Sequence, residues 1–192
     1  MPRQETILSI FVGSPSDVSE ERKTLDLIVN ELNTTWSRNL NARLEIVKWE
    51  SHVHPGVGAS AQSVINEQIG GNYDVFIGIF WGRVGSPTAT HQSGTIEELE
   101  QALEKHRESN GQIDVMVYFK DQPISPSAID INQLAALKEL KTRIGREGVL
   151  YTEFENSNQF EYLLRTHLSK VAQKWAARKE QSSFTIDSKP DS

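Results

Sequence analysis

The chain contains no cysteine. That absence removes disulfide frameworks, thiolate nucleophiles and Cys-ligated zinc together. No segment approaches the run of about 18 apolar residues that marks a membrane-spanning helix, and the N-terminus lacks the apolar core of a secretory signal. No membrane partner is expected, and a cytoplasmic protein is. Positive charge is also in deficit: 20 Lys and Arg face 26 Asp and Glu, a formal net charge of -6. A chain that grips duplex phosphates is normally basic, so nucleic acid is not an expected partner. His52 and His54 alternate in a Pro/Gly loop, but without a nearby acidic partner they make a poor ligand set, and no metal is expected. Internal repeats and low-complexity tracts are missing too.

What is present is the composition of a soluble globular chain, 37% hydrophobic and 24% charged. Its 192 residues suit one domain, assigned to 1–179, with a polar aperiodic tail or linker over 180–192. Thr6–Gly13 is a short β-branched run, a first strand. Ser14-Pro-Ser-Asp-Val is a turn in which Ser16 or Asp17 can cap the next helix. That helix runs from Ser19 to about Trp36, with Leu25, Ile28, Val29 and Leu32 at helical spacing. Leu44–Trp49 is a second strand whose partial alternation suits an edge. Ser51–Gly58 is a Pro/Gly loop. Ala59–Ile69 is a helix carrying Ala61, Val64, Ile65 and Ile69, ended by Gly70 and Gly71.

Val75–Trp81 is an almost unbroken apolar run, the pattern of a strand buried on both faces. Helices over Thr95–Glu108, Ile131–Ile144 and Asn158–Lys179 then alternate with strands over Asp114–Phe119 and Gly148–Phe154. Five alternations joined by right-handed crossovers give an α/β fold with a parallel sheet in the order 2-1-3-4-5. The first and third strands then flank the switch point, beyond whose carboxyl ends ligands bind in such sheets.

On the helix after the third strand, Ile96, Leu99, Ala102 and Leu103 form one stripe, with Glu97 nearly opposite and Glu98 at the stripe's edge. Two readings of Glu98 stand side by side. Thr95-x-x-Glu98 fits a capping box, in which the carboxylate ties off its own helix. Aimed instead into the cleft at the strand ends, the same group can hold sugar hydroxyls or steady a cationic glycosyl centre. Ser14, Ser16 and Asp17 lie where backbone amides can hold phosphate, though the P-loop lysine and the GxGxxG spacing are absent. Arg83 can meet a phosphate and Trp81 can stack on a base, against a solvated arginine and a sheet-capping tryptophan.

Three blocks in this order, Phe11-Val-Gly-Ser-Pro-Ser-Asp-Val-x-x-Glu-Glu-Arg22, Asp74-Val-Phe-Ile-Gly-Ile-Phe-Trp-Gly-Arg-Val-Gly85 and Ser93-Gly-Thr-x-Glu-Glu-Leu-x-x-Ala102, resemble the TIR-like N-terminal module of STAND-type NTPases found in bacterial defence proteins. The likeness covers about residues 6–175. It implies a flavodoxin-like three-layer sandwich. It also implies cleavage of NAD at the nicotinamide–ribose bond, with NAD as substrate and no cofactor. Glu98-Leu-x-x-Ala102 matches the family's catalytic block, making Glu98 catalytic, with Ser14, Ser16, Trp81 and Arg83 lining the nucleotide pocket. The family's Trp-Cys pair ahead of that Glu is Gly94-Thr95 here. The Ser51–Gly58 loop, with His54, Pro55 and Gly56, corresponds to the family's self-association loop, which implies a homo-oligomer. An NTPase or sensor module is the implied partner. Two other functions are compatible with the same blocks: a non-enzymatic self-association module, and a nucleoside deoxyribosyltransferase-like enzyme with a similar Glu-Leu-x-x-Ala.

Overall fold

A computed structural model describes residues 5–47, 73–87 and 93–186, with side chains through Arg178. Five strands form one all-parallel sheet: β1 (Thr6–Gly13), β2 (Ala42–Val47), β3 (Val75–Phe80), β4 (Asp114–Lys120) and β5 (Tyr151–Phe154). Their order is β2-β1-β3-β4-β5, as the alternation of strand and helix patterns implied. The arrangement is α/β and flavodoxin-like. The central position of β3 explains its composition: every residue from Val75 to Phe80 is buried, so neither face can carry a polar group.

Successive side chains leave a strand on opposite faces, and two cores result. Leu8, Ile10, Ile77, Ile79 and Tyr118 pack on the face covered by α1 (Ser19–Leu40) and α4 (Ser157–Ile186). Phe11, Phe76, Phe80, Val117 and Phe119 pack on the face covered by α2 (Gly94–Glu108) and α3 (Ile131–Arg146). The apolar stripes supply the helix side: Leu25, Ile28, Val29 and Leu32 from α1, Ile96, Leu99, Ala102 and Leu103 from α2, and Phe160, Leu164, Leu168 and Val171 from α4 are buried, while Leu163 and Trp175 of the same α4 run are only half-buried. On α3 only Leu140 and Ile144 are buried, while Leu134 and Leu137 are half-exposed.

Element ends depart from the sequence reading where local chemistry overrides the apolar period. Helix α1 runs past Trp36 to Leu40 and stops at Asn41, which takes the left-handed conformation with φ 48°, a role Asn fills more readily than most residues. Asn33 then pins the next strand, its amide bonding both the N–H and the C=O of Leu44 at 2.8 Å. Strand β5 begins at Tyr151, not Gly148, because Gly148 adopts φ 80° and reverses the chain after α3, whose last turn takes Val149 N–H onto Ile144 C=O. Helix α4 continues to Ile186, so the first part of the expected 180–192 tail is helical. Arg178, Lys179, Glu180 and Gln181 are good helix formers, and no Gly or Pro follows until Pro190. Residues 187–192, the Ser51–Gly58 loop and the Ala59–Ile69 helix lie outside the described residues.

Leu164 is fully buried and Leu150 is 90% exposed. Leu164→Ala is expected to lower unfolding free energy by about 2–5 kcal/mol, and Leu150→Ala to shift it by no more than about 0.5 kcal/mol, both read by urea denaturation.

Candidate functional site at the switch point

The site is built where β1 and β3 end. Their register is Ile10 against Val75 through Gly13 against Gly78. The helices that follow them cover opposite faces, so the two loops diverge and leave the carboxyl edge between them. On the α2 face the residue that makes room is Gly13. A Cβ there would lie 2.8 Å from Phe76 Cζ and 2.9 Å from Glu98 Oε2, closer than side-chain carbons approach. Gly13 is therefore needed for close approach: the Glu98 carboxylate and the edge of the Phe76 ring share the space a side chain would fill.

Glu98 reaches this place because its helix is capped by another residue. Ser93, fully buried, is the N-cap of α2: its hydroxyl accepts from Ile96 N–H at 3.0 Å and donates to Val84 C=O. Thr95 lies within the helix, so the Thr95-x-x-Glu98 capping box does not form. The carboxylate is instead directed over the end of β1. Below it, Phe11, Tyr73 and Phe76 form an aromatic floor, with ring centroids 5.4 Å, 6.0 Å and 6.4 Å apart pairwise. The Tyr73 hydroxyl is pushed up from its ordinary 10 to about 12, first by burial and then by the negative charge of Glu98. Glu97 is half-buried, not in open water as its wheel position suggested.

The β1–α1 turn is organised differently from the sequence reading. Neither Ser16 nor Asp17 caps α1: the helix begins at Ser19 as read, but both residues lie in a 3₁₀ turn over Ser16–Val18 and Val18 takes the N-cap position. Asp17 is recruited across the switch point, its Oδ2 accepting the Gly82 N–H at 2.9 Å. The same loop after β3 is gripped from α3, where Gln133 accepts from Val84 N–H and Gly85 N–H at 2.9 Å and 3.2 Å and donates to Gly85 C=O at 3.1 Å.

Of the residues singled out in the sequence, Ser14 directly follows Gly13, and its buried hydroxyl has no partner among the described residues. Ser16 and Arg83 are exposed at the rim. Trp81 does not stand beside Glu98. It packs on the α1–α4 face, its indole N–H bonds Gln122 C=O at 3.0 Å, and the Lys120 ammonium sits 4.4 Å from its ring centroid. The alternation of side chains along β3 sends Trp81 to the face opposite Phe76 and Phe80, so a wall for Glu98 is not formed by its ring. His54, Pro55 and Gly56 lie outside the described residues. Among those described, no group of three His, Cys, Asp or Glu could hold a metal, and no helix is long and apolar enough to cross a membrane. Sequence reasoning missed Gln133 and the partner of Asp17, since neither long-range contact leaves a local pattern.

Residues 9–169 match the family described as "Domain of unknown function (DUF4062)", and the chain belongs to that family. No curated protein matches. Among solved structures, the chain is similar to the apo form of translation elongation factor SelB from Methanococcus maripaludis, at 12% identity and a TM-score of 0.42. That match covers 87% of this chain and 36% of the other, so the chain spans about a third of that protein's length.

Two outcomes follow from the geometry. Gly13→Ala is expected to destabilise the protein by about 1–3 kcal/mol through overpacking, with Phe76, fully buried, unable to yield; thermal melts report it. Glu98→Gln removes a negative charge near Tyr73 and is expected to lower the Tyr73 pKa from about 12, while burial keeps it above its ordinary value, read by NMR titration of the ring carbon bearing the hydroxyl. The neutral phenol is the form favoured by folding, so the associated stability is present below pH 10 and is lost as pH rises from 10 towards 12.

Proposed function

We propose that this DUF4062-family chain is a cytoplasmic N-glycosidic hydrolase that splits NAD at the nicotinamide–ribose bond. It would be activated when copies associate, within a defence system that pairs it with an NTPase or sensor module. The observation that carries the proposal is the lodging of the Glu98 carboxylate over Gly13 at the switch point, with its helix capped by Ser93 instead. A carboxylate at that edge, above an aromatic floor, suits a reaction that develops positive charge on a sugar.

The chemistry is heterolytic. The C1′–N bond breaks and its electron pair leaves with the nicotinamide, which departs neutral because its ring nitrogen carried the positive charge. The ribosyl cation that develops is steadied by the negative Glu98, which also accepts hydrogen bonds from the ribose hydroxyls. Water adds at C1′ and releases a proton, giving ADP-ribose. Ser14, next in the chain after Gly13, would contact the nucleotide from the β1–α1 turn. The exposed Arg83 would meet its phosphates from the rim.

A second reading, self-association without catalysis, draws on a separate observation. Leu27 on α1 and Tyr162 on α4 are 70% and 68% exposed, and the two helices are held side by side through Glu31 and Arg165. Apolar side chains left in water on neighbouring helices suit a contact between copies.

The measurement is nicotinamide release from NAD by protein forced to cluster on a multivalent tag. Wild type is expected to turn over, and Glu98→Gln to lose about 10²-fold or more, the usual scale for a positioned catalytic carboxylate. Equal release by both would remove Glu98 from the chemistry, and no release by either would favour the adhesive module.

A further inference from the structure

Three buried oxygens at the carboxyl edge of the sheet have no hydrogen-bond partner among the described residues: Ser14 Oγ, Asp17 Oδ1 and Glu21 Oε2. They belong to one short stretch, the turn into α1 and its first turn. Orphaned buried acceptors are destabilising, and three in succession mark a place that something else completes.

Their surroundings narrow what that is. Glu21 is 3% exposed, and its other oxygen meets Lys120 Nζ at 2.8 Å. The second oxygen of Asp17 is taken by Gly82 N–H. The cluster thus holds two carboxylates, one hydroxyl and one ammonium, a formal charge of about -1. A phosphate is repelled by the carboxylates, and among the described residues two carboxylates beside a lysine are too few ligands to hold a metal ion. A neutral group offering paired hydroxyl donors satisfies the free acceptors without adding charge. Acidic side chains hold the ribose diol in this way in other nucleotide-binding α/β sheets.

The cluster is also covered. A Cβ on Gly82 would meet Ile124 Cδ1 at 2.7 Å and Asp17 Oδ2 at 3.5 Å, so the Ile124 side chain and the Asp17 carboxylate flank one point. Trp81, stacked under Lys120, bonds Gln122 C=O. The loop between β4 and α3 is therefore tied to Trp81 at Gln122 and held beside the Asp17 carboxylate at Ile124.

We propose that Ser14, Asp17 and Glu21 form a subsite for the vicinal hydroxyls of a nucleotide ribose, closed over in this structure by Ile124. The proposal rests on the hydrolase reading in one respect: the ribose bound here is the adenosine ribose of NAD, while Glu98 faces the one that is cleaved. The substrate class is then a dinucleotide rather than a mononucleoside.

The test measures NAD binding by calorimetry in the Glu98→Gln background, where the ligand persists, with Ser14→Ala, Asp17→Asn and Ile124→Ala added singly. Asp17→Asn keeps an oxygen for Gly82 N–H, so the fold is retained, and thermal melts check it. Ser14→Ala is expected to raise Tm, because it deletes an orphan, yet to weaken NAD binding about threefold. Asp17→Asn is expected to weaken it about tenfold or more, since its acceptor is charged. That loss should vanish for NAD lacking the adenosine 2′-hydroxyl. Ile124→Ala should tighten binding by removing the cover. A lower Tm for Ser14→Ala with unchanged NAD affinity would mean that internal water alone serves these oxygens, and would overturn the proposal. If wild type releases nicotinamide while neither Ser14→Ala nor Asp17→Asn alters affinity, the subsite falls and the hydrolase stands. If Asp17→Asn weakens binding while wild type never releases nicotinamide, the subsite stands as a binding site and the hydrolase falls.

Discussion

The organising constraint is the missing side chain at Gly13. Because nothing projects from that Cα, the Phe76 ring edge and the Glu98 carboxylate both come within 3 Å of the point a Cβ would occupy. A charged oxygen is thereby held against an aromatic surface at the rim of the sheet. Packing density in protein interiors leaves no slack for such an arrangement unless a residue gives up volume. Ser93 completes the condition by serving as the N-cap of α2 in place of Thr95.

The two faces of the sheet do unlike work around this point. The α2–α3 face carries the aromatic floor and Glu98. The α1–α4 face carries the Glu21–Lys120 pair, exposed by only 3% and 13%, and Trp81. An ion pair so enclosed recovers little net stability once desolvation is counted, and breaking it is costly. Its effect is better understood as fixing where α1 begins relative to β4. The link between the faces is Asp17, which belongs to the first loop and bonds the third strand's exit. Gln133 supplies the matching restraint from α3. Two loops that diverge by topology are thus bound into one rim.

Much of this was legible in the sequence because apolar periodicity reports burial directly. The run from Val75 to Trp81 announced a central strand, observed over Val75–Phe80, and the stripes of α1, α2 and α4 named most of the residues that pack. The strand order followed from alternation and handedness. Glu98 was legible as a residue with two possible duties, of which the position of the cap removes the Thr95 capping box: Ser93, two residues before Thr95, was not distinguished by spacing. Trp81 lies on the face opposite Phe76 and Phe80, as alternation along the strand implies, so its placement beside Glu98 overlooked a signal that the sequence carries. The end of α4 was placed too early because helix propensity continues after the apolar stripe stops. Gln133 and the Asp17–Gly82 bond join residues 48 or more positions apart, and nothing local encodes them.

Helix α4 is 30 residues long, about 45 Å at the usual rise per residue. Its buried anchors end at Ala172, with Trp175 half-buried beyond them, and the spiral then continues to Ile186. Such a spoke transmits orientation as well as reach. Each residue added or removed between the anchors and the tip turns whatever is attached there by about 100° and slides it by about 1.5 Å. The azimuth of the helix tip is therefore written into the residue count of that stretch, and small insertions there would turn it around the axis without touching the sheet.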